Sequence, residues 1–426
     1  MSILNDPHHP MYVPEENRKI ARERAQKYVD MISDYLEVKD RIPTGTNQQE
    51  RIRERKKGIL KVLNASENDW NSWQWHLKHA IRSTEVLSEI IQLTDQEIRD
   101  IEKTATQYRW SVSPYYASLI DPEDGECPIR KQSIPMLEEY QDAEEQKDPY
   151  AIVYNSPAPL ITRLYADRLI INVTNICSVF CRHCLRKKDI ALQDKIYPKA
   201  DVKAALDYIA QSPEIRDVLI TGGDALILSN DYIDWILTQL ENIPHIEVMR
   251  LGSRMLATLP MRVDKGLCEV LSRHKPVYLN TQFNHPVEIT PEAEEAVDKL
   301  IQAGVILGNQ SVLLKGINND KNVMKKLVHE LLRIRVRPYY IFNCKKLQGI
   351  RHFRAPIADG LNIMENLRGY TSGLAVPTFI ITAPEGKGKT PIAPTYLLNM
   401  NRNGKVLFRT WGGYVCEYED ELPDEE

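Results

Sequence analysis

The chain has 426 residues, of which 42% are apolar and 27% are charged, as in an ordinary globular protein with a large core. Its net charge of -4 excludes bulk electrostatic attraction to nucleic acid or to an anionic membrane. No apolar run approaches the roughly 18 residues that cross a bilayer. The seven cysteines are odd in number and irregularly spaced, which argues against a disulfide framework and predicts a reducing, cytoplasmic environment.

The first hundred or so residues are rich in Glu, Lys, Arg, Gln, Ala and Leu at helical spacing, which predicts a helical region. The predicted helices cover residues 20–35, 50–63 and 70–93. A basic segment at 51–57 would suit RNA, but an acidic residue interrupts it and no aromatic residues alternate with it. A solvated helix face is the favoured interpretation. Residues 111–159 are expected to be mostly irregular.

Beyond residue 160 short apolar runs alternate with amphipathic stretches. The predicted strands are 169–173, 217–221, 247–251, 276–281, 304–307 and 337–342. The predicted helices between them are 199–211, 231–241, 262–274, 291–303 and 320–334. Six strands separated by helices indicate an α/β fold with a parallel sheet, best described as a partial (β/α)6 barrel. Its active site is expected at the carboxyl ends of the strands.

Three cysteines follow the first of these strands in a C-x3-C-x2-C pattern: Cys177, Cys181 and Cys184. Three thiolates leave one corner of an iron–sulfur cluster open for a second molecule, and the pattern resembles that of radical S-adenosylmethionine enzymes. The alternative is a zinc site with His183 as its fourth ligand. That alternative is weaker, because structural zinc sites usually have two paired ligand knuckles and no second pair is present.

Two further motifs lie after apolar runs. Gly222, Gly223 and Asp224 follow the second strand, where glycines permit close backbone approach and a carboxylate can accept a ligand ammonium. Residues 383–391 end in Gly-Lys-Thr and invite comparison with a phosphate-binding loop. We reject that interpretation, because the required first glycine is alanine and prolines flank the motif. A flexible loop that presents Lys389 suits a Schiff base instead.

Together these segments resemble the lysine 2,3-aminomutase family over roughly four-fifths of the chain. The matching stretches are Asp69-Trp70-Asn71-Ser72-Trp73, Arg130-Lys131-Gln132, Tyr165-Ala166-Asp167-Arg168, the cysteine motif, residues 219–225, Asn284-His285-Pro286, residues 307–314, residues 335–340 and the Lys389 loop. The resemblance implies an isomerase that uses a [4Fe-4S] cluster, S-adenosylmethionine and pyridoxal 5'-phosphate. It also implies a radical-SAM barrel at 161–375, between a helical region at 1–160 and a carboxyl-terminal segment at 376–426.

The resemblance assigns roles residue by residue. Cys177, Cys181 and Cys184 would ligate the cluster, and Lys389 would carry pyridoxal phosphate, with Lys387 as the weaker competitor. The other cofactor-binding residues implied are Arg168 and Tyr165 at the phosphate, and Gly222, Gly223, Asp224, Ser253 and Gln310. Arg186 would pair with the substrate α-carboxylate. A 5'-deoxyadenosyl radical would then take hydrogen from Cβ, and the amino group would move from Cα to Cβ.

Two positions suggest the substrate. The resemblance implies that lysine-specific members bind the side-chain ammonium of the substrate lysine with two aspartates. In this chain those two positions hold Lys345 and Thr382. A lysine at this place would repel a substrate ammonium and attract a γ-carboxylate. The sequence therefore predicts L-glutamate as the substrate, with lysine or another amino acid as the alternative. Glutamate-specific members would carry asparagine where this chain has Thr382.

The remaining expectations concern partners and other functions. The resemblance implies an electron donor of flavodoxin or ferredoxin type and a homo-oligomer, with assembly contacts hypothesised in residues 15–65 and neither nucleic acid nor membrane as a partner. Zinc is not expected, because the carboxyl-terminal cysteine cluster of lysine-specific members is missing. A different radical enzyme, which would lack the pyridoxal lysine, and a non-catalytic iron–sulfur protein stay open as alternatives.

Overall fold

The computed structural model describes residues 8–9, 11–142, 145–149, 151–190, 193–274, 276–401 and 403–420. The chain divides into two units, Met1–Ile42 and Pro43–Glu426. The first unit contains helices α1 (Glu15–Asp30) and α2 (Ser33–Val38), and α1 carries no buried residue. Within the described residues, no helix has both the length and the apolar character needed to cross a membrane.

The second unit begins with short helices. They are α3 (Gln49–Val62), α4 (Glu67–Trp70), α5 (Trp73–Lys78), α6 (Thr84–Ser88), α7 (Asp95–Ala105), α8 (Pro114–Ala117), α9 (Pro128–Ser133) and α10 (Leu137–Gln141). The helix predicted at 50–63 is confirmed. The prediction of one helix over 70–93 is wrong, because Ser72 and Ser83 each accept a hydrogen bond from a backbone N–H three residues later and start a new helix.

A sheet dominates the rest of the unit. Its strands, in order across the sheet, are β1 (Ile161–Thr162), β2 (Arg168–Thr174), β3 (Asp217–Gly222), β4 (Val248–Gly252), β5 (Val277–Thr281), β6 (Ile306–Leu313), β7 (Arg337–Asn343), β8 (Thr378–Thr382) and β9 (Lys389–Pro391). Strands β2 to β8 are parallel to one another, and β1 and β9 pair antiparallel at the two edges. The six predicted strands are confirmed as β2 to β7, and β8 extends the parallel sheet.

One strand boundary is wrong. The fifth predicted strand ends at 307, whereas β6 continues to Leu313. Its middle residues are glycine, asparagine, glutamine and serine, so an apolar run cannot reveal it. The helices that follow the cysteine loop and separate the later strands are α11 (Lys187–Ile190), α12 (Lys199–Ala210), α13 (Asn230–Glu241), α14 (Met255–Thr258), α15 (Lys265–Arg273), α16 (Pro291–Gln302), α17 (Lys321–Arg333) and α18 (Ile357–Leu367).

The two faces of the sheet differ in burial. Along β5, Val277, Leu279 and Thr281 are buried, whereas Tyr278 and Asn280 between them are only partly buried. The same alternation appears in β3, β4 and β6. The fully buried side chains join the helices in one continuous core, so the other face is the concave interior of a half-barrel. Polar side chains on that concave face are therefore available to ligands.

The chain after the half-barrel forms a second, smaller sheet. Its strands β10 (Leu397–Met400), β11 (Lys405–Arg409) and β12 (Val415–Glu419) pair antiparallel. Strands β8 and β9 belong to the large sheet, and this hairpin places Lys389 at the edge of the half-barrel.

Candidate active site

The cysteine loop leaves the carboxyl end of β2 and is packed against the turn that follows β3. Gly222 has a φ of +128°, and a Cβ atom there would lie 2.2 Å from the carbonyl oxygen of Thr174. A Cβ atom on Gly223 would lie 2.2 Å from the carbonyl oxygen of Ile176. These two glycines are required because the backbone of the turn touches the backbone that leads into Cys177.

Asp224 connects this turn to the next strand end. Its buried carboxylate accepts hydrogen bonds from the backbone N–H of Leu226 at 3.0 Å and of Arg254 at 2.7 Å. The neighbouring Ser253 hydroxyl accepts one from the N–H of Met255 at 3.0 Å. Asp224 thus holds the loops after β3 and β4 together, and its predicted contact with a ligand ammonium stays a prediction, as does that of Ser253.

The three motif cysteines lie close together, and all seven cysteines of the chain are free. Burial raises the pKa of the Cys177 thiol well above its usual value, and the charges of Asp224, Cys181 and Cys184 raise it further. In the described part of the chain, no three or more His, Cys, Asp or Glu side chains surround a site for a single metal ion. A [4Fe-4S] cluster binds each cysteine through a different iron, and three neighbouring thiols fit that group.

His183 does not join the cysteines as a ligand in this arrangement. Its Nε2 lies 3.1 Å from Nε2 of Gln282 and 3.3 Å from Nδ2 of Asn284, at hydrogen-bonding distance. Its ring meets that of Phe353 edge to face, with the ring centres 6.0 Å apart. The buried histidine is therefore held by neighbours on the far side of the loop, which gives no support to the zinc interpretation.

A buried ion cluster fixes the rest of the loop. Glu139 on α10 accepts hydrogen bonds from Arg182 Nε at 3.0 Å and Nη2 at 2.7 Å, and from the Lys187 ammonium. All three side chains are at most 1% exposed. Burial by itself raises the pKa of Glu139, but the two cations bring it down to about 2. The carboxylate is thus ionised and anchors the loop on either side of Cys184, through Arg182 and Lys187.

Lys389 lies in the hairpin β8–β9 on the opposite edge of the half-barrel. Its Cα is paired across the hairpin with that of Thr382, and its backbone N–H donates to the Tyr165 hydroxyl at 2.9 Å. The Arg168 guanidinium stacks 4.1 Å from the centre of the Tyr165 ring. Gly388 has a φ of +90° and its α-carbon faces the same ring. Three residues that the sequence links to pyridoxal phosphate (Lys389, Tyr165 and Arg168) therefore lie together.

The Lys389 ammonium enters an aromatic and cationic environment. Its Nζ lies 4.8 Å from the ring centre of Phe342 and 5.4 Å from that of Tyr340. Burial, followed by the charges of Lys345, Arg250 and Arg168, lowers the pKa of Lys389 to about 7. A lysine with this pKa presents a large fraction of neutral amine near pH 7, as nucleophilic attack on an aldehyde requires.

Lys345 and Arg186 add positive charge at the carboxyl ends of the strands. Arg186 follows Cys184 by two residues, and Lys345 follows Asn343, the last residue of β7. Burial, followed by the nearby charge of Arg186, lowers the pKa of Lys345 to about 8. Because the charge of Lys345 also lowers the pKa of Lys389, the concave face carries a group of basic side chains from the cysteine loop to the β8–β9 hairpin.

Several buried polar atoms on this face have no hydrogen-bond partner among the described residues. They are Asn172 Oδ1, Asn280 Nδ2, Asn343 Oδ1 and Thr382 Oγ1. Buried polar atoms in folded proteins are nearly always paired, so a set of unpaired ones on a concave surface fits bound polar ligands. Gln310 lies on β6 on the same face, partly buried, beside Tyr340.

Some residues of the site escape sequence interpretation. Arg250 donates from Nε to Asp217 at 2.6 Å inside the half-barrel, and both side chains are partly buried. Arg254 contacts Cys181 directly. The alternation of buried and partly buried residues along the strands does indicate Arg250 and Asp217 as candidate site residues, since each occupies a concave-face position of an apolar strand. Nothing in the local sequence indicates the contact of Arg254 with Cys181, which is 73 residues away.

Known proteins resemble this chain in sequence over almost its whole length. Residues 364–425 match the family model "Lysine-2,3-aminomutase", and residues 171–327 match "Radical SAM superfamily". A glutamate 2,3-aminomutase from Clostridioides difficile is 51% identical, over 95% of this chain and 96% of the relative. The chain belongs to the lysine 2,3-aminomutase family. An L-lysine 2,3-aminomutase from Fusobacterium nucleatum is 44% identical, over 83% of this chain and 84% of the relative. An L-lysine 2,3-aminomutase from Clostridium subterminale is also 44% identical, over 84% of this chain and 86% of the relative.

Family membership confirms several predictions from the sequence. The aminomutase is an isomerase with the half-barrel of radical-SAM enzymes. The radical-SAM domain implies a [4Fe-4S] cluster and S-adenosylmethionine, and the lysine and glutamate 2,3-aminomutases use pyridoxal phosphate. The roles of the individual site residues remain predictions. In the structure these residues form two groups on one concave face.

Proposed function

We propose that this aminomutase converts L-glutamate to β-glutamate with the help of pyridoxal phosphate. The observation that carries the proposal is the group of basic side chains formed by Arg186, Lys345 and Lys389 on the concave face. Arg186 and Lys345 would face the substrate when Lys389 holds the cofactor. Glutamate has two carboxylates, whereas lysine would bring a second ammonium next to them.

The size of the electrostatic effect supports this choice. Two unit charges roughly 4 Å apart interact with about 4 kcal/mol at an effective dielectric of about 20, which is attractive for an anion and repulsive for a cation. The sign of the side-chain charge therefore outweighs the difference of two methylenes between the glutamate and lysine side chains, since each methylene contributes only about 0.8 kcal/mol. Thr382, whose buried hydroxyl oxygen lies on the same face, would donate a hydrogen bond to the same carboxylate.

The proposed roles of the chain's own residues follow from their places. Cys177, Cys181 and Cys184 would hold the cluster, whose reduction together with S-adenosylmethionine supplies the hydrogen-abstracting radical. Lys389 would hold pyridoxal phosphate, which lets the amino nitrogen move between carbons. The remaining cofactor contacts proposed are those of Tyr165, Arg168, Gly222, Gly223, Asp224, Ser253 and Gln310. Arg186 would pair with the α-carboxylate, and the half-barrel would exclude water from the reacting atoms.

The wider setting is proposed on the same basis. In the proposed division, the helical region at 1–160 would include the assembly contacts and the barrel at 161–375 would form the radical. The carboxyl-terminal segment at 376–426 would supply the cofactor lysine and complete the large sheet with β8 and β9. Free cysteines suit a reducing cytoplasm, where a flavodoxin- or ferredoxin-type protein would supply electrons to a homo-oligomer.

The test is anaerobic reconstitution with iron, sulfide, pyridoxal phosphate and S-adenosylmethionine, followed by NMR of labelled glutamate and labelled lysine. We expect β-glutamate to form and β-lysine not to form. Production of β-lysine in preference to β-glutamate would contradict the proposal.

The Lys345→Asp variant tests the substrate contact. We expect it to lose about 100-fold or more of its glutamate turnover, because attraction becomes repulsion and roughly 3 kcal/mol are lost. The exposed neighbour Lys346 offers a control with the same charge change, and Lys346→Asp should keep its activity. Equal glutamate turnover in the Lys345→Asp and wild-type enzymes would remove Lys345 from the pocket.

A further inference from the structure

Arg254 directs a buried guanidinium at one of the motif cysteines. It follows the end of β4 and is 8% exposed. Its Nη1 donates to Cys181 Sγ at 2.8 Å. Its Nη2 donates to Glu288 Oε1 at 2.6 Å, to Gln132 Oε1 at 2.6 Å and to the Tyr116 hydroxyl at 3.0 Å. The guanidinium therefore bridges a sulfur atom and a buried carboxylate, and its orientation is set by several acceptors at once.

The carboxylate on the far side of this bridge is equally fixed. Glu288 is fully buried, and its Oε2 accepts the backbone N–H groups of Asn284 at 2.5 Å and His285 at 3.0 Å. The Tyr116 hydroxyl donates to its Oε1 at 2.6 Å. Glu288 cannot turn away without leaving these donors unpaired, so Cys181, Arg254 and Glu288 form a rigid line of sulfur, positive charge and negative charge.

We propose that Arg254 sets the reduction potential of the cluster through its hydrogen bond to Cys181, and that Glu288 moderates this effect. One-electron reduction from the 2+ to the 1+ state adds a negative charge to the cluster. A positive charge and an N–H donor at a ligand sulfur stabilise the reduced form and raise the potential, whereas a nearby carboxylate lowers it. This inference rests on the proposed role of Cys181 as a cluster ligand.

An effect on the reduction potential of the cluster explains the contact of Arg254 with Cys181 better than simple support of the loop does. The segment from Cys181 to Cys184 is already anchored by the ion cluster of Glu139, Arg182 and Lys187. Burying a second ion pair costs several kcal/mol per ion in desolvation, and Arg254 places one of its donors on a sulfur. Contacts of this kind just outside the ligands are a recognised means of adjusting a metal centre. Arg254 is accordingly a positioning residue that acts through Cys181.

The test is a redox titration of the full-length, anaerobically reconstituted protein, with dithionite as reductant and the electron paramagnetic resonance signal of the reduced cluster as readout. In Arg254→Gln we expect reduction to become at least about tenfold less favourable, which is ~59 mV for a one-electron couple. In Glu288→Gln the potential should move in the opposite direction. Arg262 is another fully buried arginine, bonded to Leu226 and Leu228 carbonyls, and Arg262→Lys should leave the potential unchanged.

The outcomes separate this inference from the proposed function. A wild-type protein that binds no reducible cluster would refute the assignment of the cysteines. A wild-type cluster whose potential is the same in Arg254→Gln would overturn the role of Arg254. If Arg254→Gln fails to retain iron, Glu288→Gln decides the matter: a raised potential supports the inference, and an unchanged or lowered one contradicts it.

Discussion

At the scale of single residues, two lysines two positions apart differ completely in surroundings. The Lys387 side chain is 70% exposed and pairs with the equally exposed Glu385. Lys389 is partly buried beside Tyr340 and Phe342, with a pKa lowered to about 7 by burial and neighbouring cations. Sequence alone leaves both as candidates for the cofactor lysine, and the structure favours Lys389 because only a neutral amine attacks an aldehyde.

The lysine assignment predicts where the cofactor is attached. After incubation with pyridoxal phosphate and reduction with borohydride, mass spectrometry should find the pyridoxyl group on the peptide that contains Lys389. Lys389→Ala should remove the label, and the matched Lys387→Ala should retain it. A label on Lys387 in the wild-type protein would assign the role to the other lysine.

At the scale of elements, the cysteine loop is held by parts of the chain that are distant in sequence. Glu139 on α10 is 43 residues from Arg182 and 48 from Lys187, yet it binds both. The glycines of the turn after β3 supply the second support, since any side chain on Gly223 would collide with the backbone at Ile176. Both supports come from the chain itself and restrict the loop, which reduces the ordering cost of binding a cluster.

The ion cluster predicts a large stability effect in the metal-free protein. Glu139→Gln should lower the free energy of unfolding by about 3 to 5 kcal/mol, because two buried cations lose the carboxylate that they share. Denaturant midpoints of the apo forms measure this change. The exposed pair of Arg216 and Glu247 gives the control, and Glu247→Gln should leave the midpoint nearly unchanged. Similar midpoints for the two variants would show that the buried cluster does not hold the loop.

At the scale of the whole molecule, the chain divides after Ile42 rather than after residue 65. The hypothesis drawn from the sequence places assembly contacts in residues 15–65. Ile52, Ile59 and Leu60 on α3 belong to the main hydrophobic core, so α3 is part of the catalytic unit. Helix α1 in the first unit exposes Ile20, Tyr28 and Val29, each at least 46% accessible. The assembly hypothesis is therefore best confined to residues 15–42.

Removal of residues 1–42 tests that narrower hypothesis. We expect the shortened chain to form a smaller species, because apolar side chains of α1 would no longer be available for contacts between subunits. Size-exclusion chromatography with light scattering gives the mass. An oligomer of the same subunit number would place the assembly contacts elsewhere in the chain.

Features of this protein that depend on local pattern can be predicted from its sequence. Alternating apolar runs and amphipathic stretches predict the parallel strands and their helices, because burial on one face imposes a period on the chain. The spacing of Cys177, Cys181 and Cys184 predicts cluster chemistry for a similar reason, since a short loop must present all three thiols.

Contacts between residues that are distant in the chain become visible only in the folded structure. The polar strand β6 extends beyond its apolar run, and the stretch 70–93 breaks at serine caps that compete with helix propensity. Distant elements meet where Glu139 binds Arg182 and where Arg254 contacts Cys181. Lys345 likewise interacts electrostatically with Arg186 and Lys389. Charges act through space, so the electrostatics that select the substrate and tune the cluster arise only when the sheet curls and brings the strand ends together.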